Sequence, residues 1–140
     1  QEAIIRLSRV GFDNCLGFLD GGFDVWKNSD NQFDSVDSIS AKDLNKIIGS
    51  ISLIDVRKNG ERNNGYLNES INIPLDDFTD DVLEIDKMDK HFIHCAGGYR
   101  SMIAASLLKR NGFKSIVDVS GGFAAIRKEN FNILEKTCIN

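Results

Sequence analysis

A thiol, two glycines and an arginine stand within the six residues Cys95-Ala96-Gly97-Gly98-Tyr99-Arg100. Upstream, His91-Phe92-Ile93-His94 reads as a short buried strand, and downstream Ser101–Arg110 has the composition and periodicity of a helix. The cysteine is therefore expected at the carboxyl end of a strand, where open α/β sheets hold their ligands. Glycines at 97 and 98 allow a tight turn with inward-pointing N–H groups, an anion-binding nest to which the following helix adds its positive end. With the charge of Arg100 beside it, such a site can bring a thiol pKa from about 8.5 down to roughly 3.5–7.5, so that the thiolate nucleophile exists at neutral pH. Taken by itself, a cysteine after an apolar strand is an inert core residue; its neighbours are what mark Cys95 out.

The elements that must position this loop follow from the rest of the chain. Ser40-Ala41-Lys42-Asp43 is a capping box that opens a helix through about Ile48, with Gly49 as its stop. Ser52–Val56 is a strand, Asn59 caps a short helix, Ile71–Ile73 is a brief strand ended by Pro74, residues 76–84 are helical, and Ser115–Val119 is the last strand. Short apolar strands alternating with helices predict an α/β fold with a parallel sheet covered on both faces.

Four ordered motifs now stand in the sequence: Leu53-Ile54-Asp55-Val56-Arg57, then Gly65-Tyr66-Leu67 through Ile71-Asn72-Ile73-Pro74, the Cys95 loop, and Ser120-Gly121-Gly122-Phe123. Together they resemble the rhodanese family of sulfurtransferases from about Ser38 to Lys128. The resemblance implies a rhodanese-like parallel five-stranded sheet with helices on both faces, and a cysteine that takes a sulfane sulfur as a persulfide and passes it to a thiophilic acceptor. By the match, Cys95 is the nucleophile, the segment Ala96, Gly97, Gly98, Tyr99 and Arg100 cradles the terminal sulfur, and Ser101 supports the loop or donates a hydrogen bond. Asp55 and Arg57 organise or face the pocket, Arg57 as a substrate-binding cation and Asp55 as structural support, since a buried carboxylate needs a partner. Tyr66, Glu69-Ser70 and Ile126 depart from the family pattern, without touching the nucleophile or its loop.

Four residues separate Cys95 from Arg100. Phosphatases with a cysteine nucleophile and this general topology use a longer loop, wide enough for a tetrahedral phosphate, and no aspartate near the loop is placed to protonate a leaving group. The shorter ring suits a single sulfur. Thiosulfate, mercaptopyruvate, polysulfide and glutathione persulfide are all donors open to it, with Tyr99 expected to influence the choice, and a thiol or a cyanide-like nucleophile is the expected acceptor. The alternative from a different class is a sensing or docking module that binds sulfane sulfur without turnover and regulates an attached hydrolase or dioxygenase domain.

An internal repeat is the second informative feature. Arg9-Val10-Gly11-Phe12-Asp13-Asn14 is similar to Arg110-Asn111-Gly112-Phe113-Lys114-Ser115, and Gly21-Gly22-Phe23-Asp24-Val25-Trp26 to Gly121-Gly122-Phe123-Ala124-Ala125-Ile126. Residues 1–30 are therefore expected to be the C-terminal remnant of a preceding rhodanese-like repeat and residues 38–140 a complete domain. Such an arrangement resembles the C-terminal part of proteins that fuse a metallo-β-lactamase-fold hydrolase or persulfide dioxygenase to rhodanese repeats. Ile4, Ile5, Leu7, Val10, Phe12, Leu16, Phe18 and Leu19 in that segment call for burial, which suggests packing on the intact domain or a homodimer through residues 1–27.

Composition excludes several classes. At 140 residues the chain has room for one full domain and a partial unit. Net charge is −4, with Asp76, Asp77, Asp80, Asp81, Glu84 and Asp86 in one stretch, which argues against nucleic acid or anionic lipid as a partner. No apolar run approaches the roughly 20 residues of a membrane span, and no basic-then-apolar leader is present. Cys15, Cys95 and Cys138 have neither paired nor metal-ligand spacing, so a reducing, cytoplasmic setting with no metal and no cofactor is expected. Cys15 aligns with Ile116 and is expected in a core; Cys138 is a candidate exposed thiol. His91 and His94, three apart on a strand, point to opposite faces and cannot share a metal.

Overall fold

The computed structural model describes residues 1–8, 13–78 and 85–135, which fall into two compact units, 1–35 and 36–140. In the second, five strands form one parallel sheet: β1 (Asp37–Ile39), β2 (Ser52–Asp55), β4 (Ser70–Asn72), β5 (Lys90–His94) and β6 (Ser115–Val119), in the order β1-β6-β5-β2-β4. The fold is α/β, as expected. β5, the strand that leads to Cys95, lies at the centre with β6 and β2 as neighbours. A two-stranded antiparallel ribbon, β3 (Tyr66–Leu67) with β7 (Ile133–Leu134), stands apart from it. β1 and this ribbon have no sequence expectation behind them, because two or three residues are too few to show an alternation.

Strand alternation sorts the core into two layers. Ile54, Val56, Ile93, Cys95 and Ile116 pack with Ala104, Ala105 and Leu108 of the long helix α5 (Tyr99–Arg110). Leu53, Phe92, Val117 and Val119 pack on the opposite face with Ala41 and Leu44 of α3 (Ala41–Asn45) and Phe123 and Ile126 of α6 (Gly122–Ile126). Both faces are covered, so the strands are apolar on both sides.

Local signals set most boundaries. Ser40 caps α3, its hydroxyl accepting from the Asp43 N–H at 3.1 Å. That helix ends at Asn45 rather than near Ile48, and the chain tightens into a 3₁₀ turn at Ile48–Ser50 that contains Gly49. The short helix α4 (Asn59–Asn63) has Lys58 at its cap and Asn59 as its first residue; Glu61 reaches back to accept from the Lys58 N–H at 3.3 Å. Of the helix expected over 76–84, the described part is a 3₁₀ turn at Leu75–Asp77, and residues 79–84 lie outside the described residues. α5 begins two residues earlier than expected, at Tyr99.

The first unit holds α1 (Glu2–Ser8) and α2 (Gly22–Lys27), with Phe23 packed edge-on to Phe33 at 5.9 Å. Gly21 and Gly22 adopt φ +76° and +65°, and their counterparts Gly121 and Gly122 adopt +74° and +56°, so each pair opens its helix through the same left-handed turn. Cys15 is exposed, not in a core as expected, because residues 13–19 form no strand that would impose inward and outward positions. Ile4, Ile5, Leu16, Phe18 and Leu19 are exposed too. Val10, Phe12, the side chain of Leu7 and Cys138 lie outside the described residues. Among the described residues no helix is long and apolar enough to cross a membrane.

Candidate active site

β5 delivers Cys95 to the edge of the sheet, and the chain then turns sharply into α5. The turn requires Gly98, whose φ of +113° is in the left-handed region. That conformation aims the Gly98 N–H back at the sulfur, where it donates to Cys95 Sγ at 3.0 Å. The Ser101 hydroxyl donates from the first turn of α5 at 3.6 Å, and the N–H groups of Gly97 and Ser101 also point at the sulfur. The nest expected from the sequence is thus closed on a single sulfur-sized point. Burial alone would push the thiol up; the Ser101 hydroxyl and the amides of Ser101, Gly98 and Gly97 outweigh it, and the Cys95 pKa lies below its ordinary value.

The loop is clamped from α6. The Phe123 and Ala124 N–H groups donate to the carbonyls of Cys95 and Ala96 at 2.7 and 3.0 Å. Gly122 makes this approach possible: a Cβ there would stand 2.5 Å from the Cys95 carbonyl oxygen, and its φ of +56° is itself left-handed. The fourth motif therefore serves the third, a role no local pattern reveals.

The two arginines are placed differently from expectation. Arg57 is 3% exposed. Its guanidinium donates to both Asp55 oxygens at 2.7–3.1 Å and to the Gly65 carbonyl at 2.9 Å, and it lies 3.7 Å over the Phe123 ring. The guanidinium expected to bind substrate is thus engaged by Asp55, Gly65 and Phe123. Arg62 and the Asn72 amide complete the group, bonding the Asp55 carboxylate at 3.5 Å and its carbonyl at 2.8 Å. Arg100, expected to stabilise the charged sulfur, instead donates to both oxygens of Glu61 at 2.6 and 2.8 Å. That carboxylate is pulled below its usual range by the same contact. Arg100 thus acts on Cys95 only through space, while the sulfur's direct donors are neutral.

His94 cannot serve as a base for Cys95. It projects to the opposite face of the sheet, stacks on Phe123 at 5.9 Å, and burial holds its pKa down to about 4. His91 is buried between the Ser52 hydroxyl and the Asp86 carbonyl, at 2.8 and 2.6 Å. Among the described residues no cluster of three or more His, Cys, Asp or Glu could hold a metal.

Outside the nest the surface is apolar. Tyr99 is 82% exposed, and with Met102, Ile103, Gly97 and Gly98 it lines a cavity of about 540 Å³. Two residues outside the expected set belong to the site: Glu61, which holds Arg100, and Gly122, against which the Cys95 carbonyl packs. For Glu61 the signal was its position three residues after the helix cap; Gly122 stands in the fourth motif, but its close approach to the loop shows only in the fold.

Comparison with known proteins agrees with this fold. A rhodanese-related protein from Thermoplasma volcanium superposes with a TM-score of 0.65 at 32% identity, covering 71% of this chain and 99% of that one. The tRNA uridine(34) hydroxylase of Buchnera aphidicola is 32% identical over 92 residues, 60% of this chain and 30% of the relative. The putative sulfur carrier protein YrkF of Bacillus subtilis is 32% identical over 73 residues, 52% of this chain and 40% of the relative. The chain spans less than half the length of these two curated relatives. Residues 40–129 match the model of the rhodanese-like domain, and the chain belongs to that family.

Proposed function

We propose that Cys95 carries sulfane sulfur between a small donor and a thiol or cyanide-like acceptor. The observation that supports this most directly is the convergence of the Gly98 N–H, the Ser101 hydroxyl and the neighbouring amides on Cys95 Sγ. The thiolate attacks the outer sulfur of the donor, the donor's sulfur–sulfur bond breaks, and the electron pair leaves with the donor's remaining fragment. The resulting Cys95 persulfide anion is held by the same amides, which sit where the negative charge lies. An acceptor nucleophile then takes the outer sulfur and returns Cys95 to the thiolate, with no net oxidation. Because Arg57 and Arg100 are held by Asp55 and Glu61 and the rim is apolar, a persulfide on an organic thiol fits better than the dianion thiosulfate.

Intact mass measurement of the wild type and Cys95→Ser, before and after a donor and then after cyanide, tests the reading. Gain of one sulfur by the wild type alone, lost to cyanide, is the expected result; no gain from thiosulfate, polysulfide or glutathione persulfide would overturn it. Gain without discharge to cyanide or any thiol would favour the sensing or docking role beside an attached catalytic domain, a reading in keeping with the greater length of the curated relatives.

The matching turns at Gly21-Gly22 and Gly121-Gly122 support reading residues 1–30 as the end of an earlier repeat. The exposed Ile4, Leu16 and Phe18 fit a surface covered by that repeat or by a second copy of the chain. Sedimentation of the chain tests the second copy: a dimer assigns the surface to self-association, and a monomer counts against it.

A further inference from the structure

His94 is fully buried, and its Nε2 has no hydrogen-bond partner. Its other ring nitrogen, Nδ1, lies 3.3 Å from the Cys95 carbonyl oxygen and 3.8 Å from Asp55 Oδ1. Asp55 is the register partner of His94 on the adjacent parallel strand β2, so the two side chains share a sheet face. Both oxygens before Nδ1 are acceptors in use: Asp55 Oδ1 takes the Arg57 Nε–H at 2.9 Å, and the Cys95 carbonyl takes the Phe123 N–H at 2.7 Å. Burial keeps the ring neutral at pH 7, with one proton to place. On Nδ1 that proton meets two acceptors; on Nε2 it would be a buried orphan and would leave the Nδ1 lone pair against two oxygens.

We propose that His94 is a positioning residue for Cys95: set by Asp55, its Nδ1–H fixes the Cys95 carbonyl and with it the peptide from which the sulfur-binding turn starts. The inference rests on the reading of Cys95 as the reactive sulfur. That carbonyl belongs to the peptide between Cys95 and Ala96, and the first amides that point at the sulfur follow at once, at Gly97 and Gly98. Phe123 and His94 together occupy both lone pairs of the carbonyl, so the peptide cannot rotate without breaking two buried bonds. Held by Phe123 alone it pivots about one bond, and the Gly98 N–H is then free to leave the sulfur it faces at 3.0 Å. His94 thus acts on Cys95 from the opposite face of the sheet, through the main chain and not by proton transfer.

The groups around His94 leave its Nδ1–H to this task. On β2, Asp55 is fixed in orientation by Arg57 and, at 3.5 Å, by Arg62 of α4. Both guanidiniums are spent on that carboxylate and on the Gly65 and Ser70 groups, and neither bonds the imidazole. From α6, Phe123 stacks flat on the ring at 5.9 Å, which holds its plane without using either nitrogen.

The test is the pH dependence of Cys95 alkylation by iodoacetamide in the full chain, read peptide by peptide so that Cys15 and Cys138 do not interfere, for His94→Asn and His94→Leu. The two replacements have nearly the same branched shape, but only Asn carries an N–H where Nδ1 stood, and with two acceptors before it the amide turns that N–H towards them. The Asn midpoint should stay within about 0.2 pH units of the wild type, and the Leu midpoint should rise by about half a unit as the amide bonds to the thiolate weaken. A merely structural role predicts no such order, because Leu fills a buried site without a polar group to satisfy. Superposed profiles for the two variants, or a Leu midpoint below that of Asn, would overturn the inference. Nitrogen-15 NMR of the wild-type ring needs no substitution: Nδ1 should be protonated and Nε2 bare at pH 7, and the opposite tautomer rejects the inference even where a variant fails to fold. Neither readout uses a sulfur donor, so failure here and failure of the sulfur-transfer reading are separable.

Discussion

Both terminal nitrogens of Arg100 rest on the carboxylate of Glu61, at 2.6 and 2.8 Å, although the arginine closes the Cys95 loop. The pair turns the one loop cation away from the sulfur and towards α4. Glu61→Gln removes the counter-charge and leaves Arg100 free to face an incoming anion. Loading by thiosulfate should rise about two- to fivefold, the scale of a partly exposed ion pair, and the gain should fade with added salt. Rates measured by mass at low and high ionic strength check this; a Glu61→Gln rate equal to the wild type at low salt would mean that Arg100 does not reach the donor in either form.

Gly122 and Gly98 are both left-handed, but for different reasons. At Gly122 a Cβ would meet the Cys95 carbonyl at 2.5 Å, whereas at Gly98 it would meet nothing within 4 Å. Gly122→Ala should therefore cost at least about 2 kcal/mol, from backbone strain plus the displaced loop. Gly98→Ala should cost only the strain, about 1–2 kcal/mol, yet move Cys95 alkylation to higher pH by tilting the N–H that faces the sulfur. Urea unfolding and alkylation profiles of the two variants separate the effects; equal losses of stability would contradict the assignment.

The Asp55–Arg57 pair predicts a stability defect and not a binding one. Arg57→Met strands a buried carboxylate and should destabilise the domain by about 3–5 kcal/mol, with Asp55→Asn/Arg57→Met recovering part of the loss. A direct donor contact would instead raise the donor KM in a variant of normal stability, and paired unfolding and kinetic measurements distinguish the two.

His94 gives stability a pH dependence. Burial lowers its pKa from 6.5 to about 4, so between those values the unfolded chain takes up a proton that the folded chain refuses. Stability is then full above about pH 6.5 and falls by up to about 3 kcal/mol as pH drops to 4. Glu61, whose pKa is lowered chiefly by Arg100, adds a loss only below its ordinary 4.5. Urea midpoints from pH 7 to 4.5 should show the decline, and His94→Phe should flatten it; an equal slope in that variant would assign the effect elsewhere.

Much of the fold was legible because its signals are local. The strand before Cys95, the helix after it, the Ser40 cap and the glycine loop each declare themselves within a few residues. Helix ends read less well: α3 stops at Asn45 and α4 begins at Asn59 because packing and the 3₁₀ turn at Ile48–Ser50 override the weak preferences of short segments. β1 and the β3–β7 ribbon, at three residues or fewer a strand, had no periodicity to show.

By itself the sequence determined the family, the α/β class and the candidate loop around Cys95, since a thiol, glycines with left-handed freedom and a helix start follow one another along the chain. Tertiary structure decided which groups act on the sulfur. Arg57 and Arg100 looked available because a sequence shows charge without its partner, and the partners, Asp55 and Glu61, lie across turns whose closure only the fold sets. Gly122 reaches the loop from α6 for the same reason: a parallel sheet brings distant strand ends to one edge, and steric contact acts over ångströms in space, not positions in the chain.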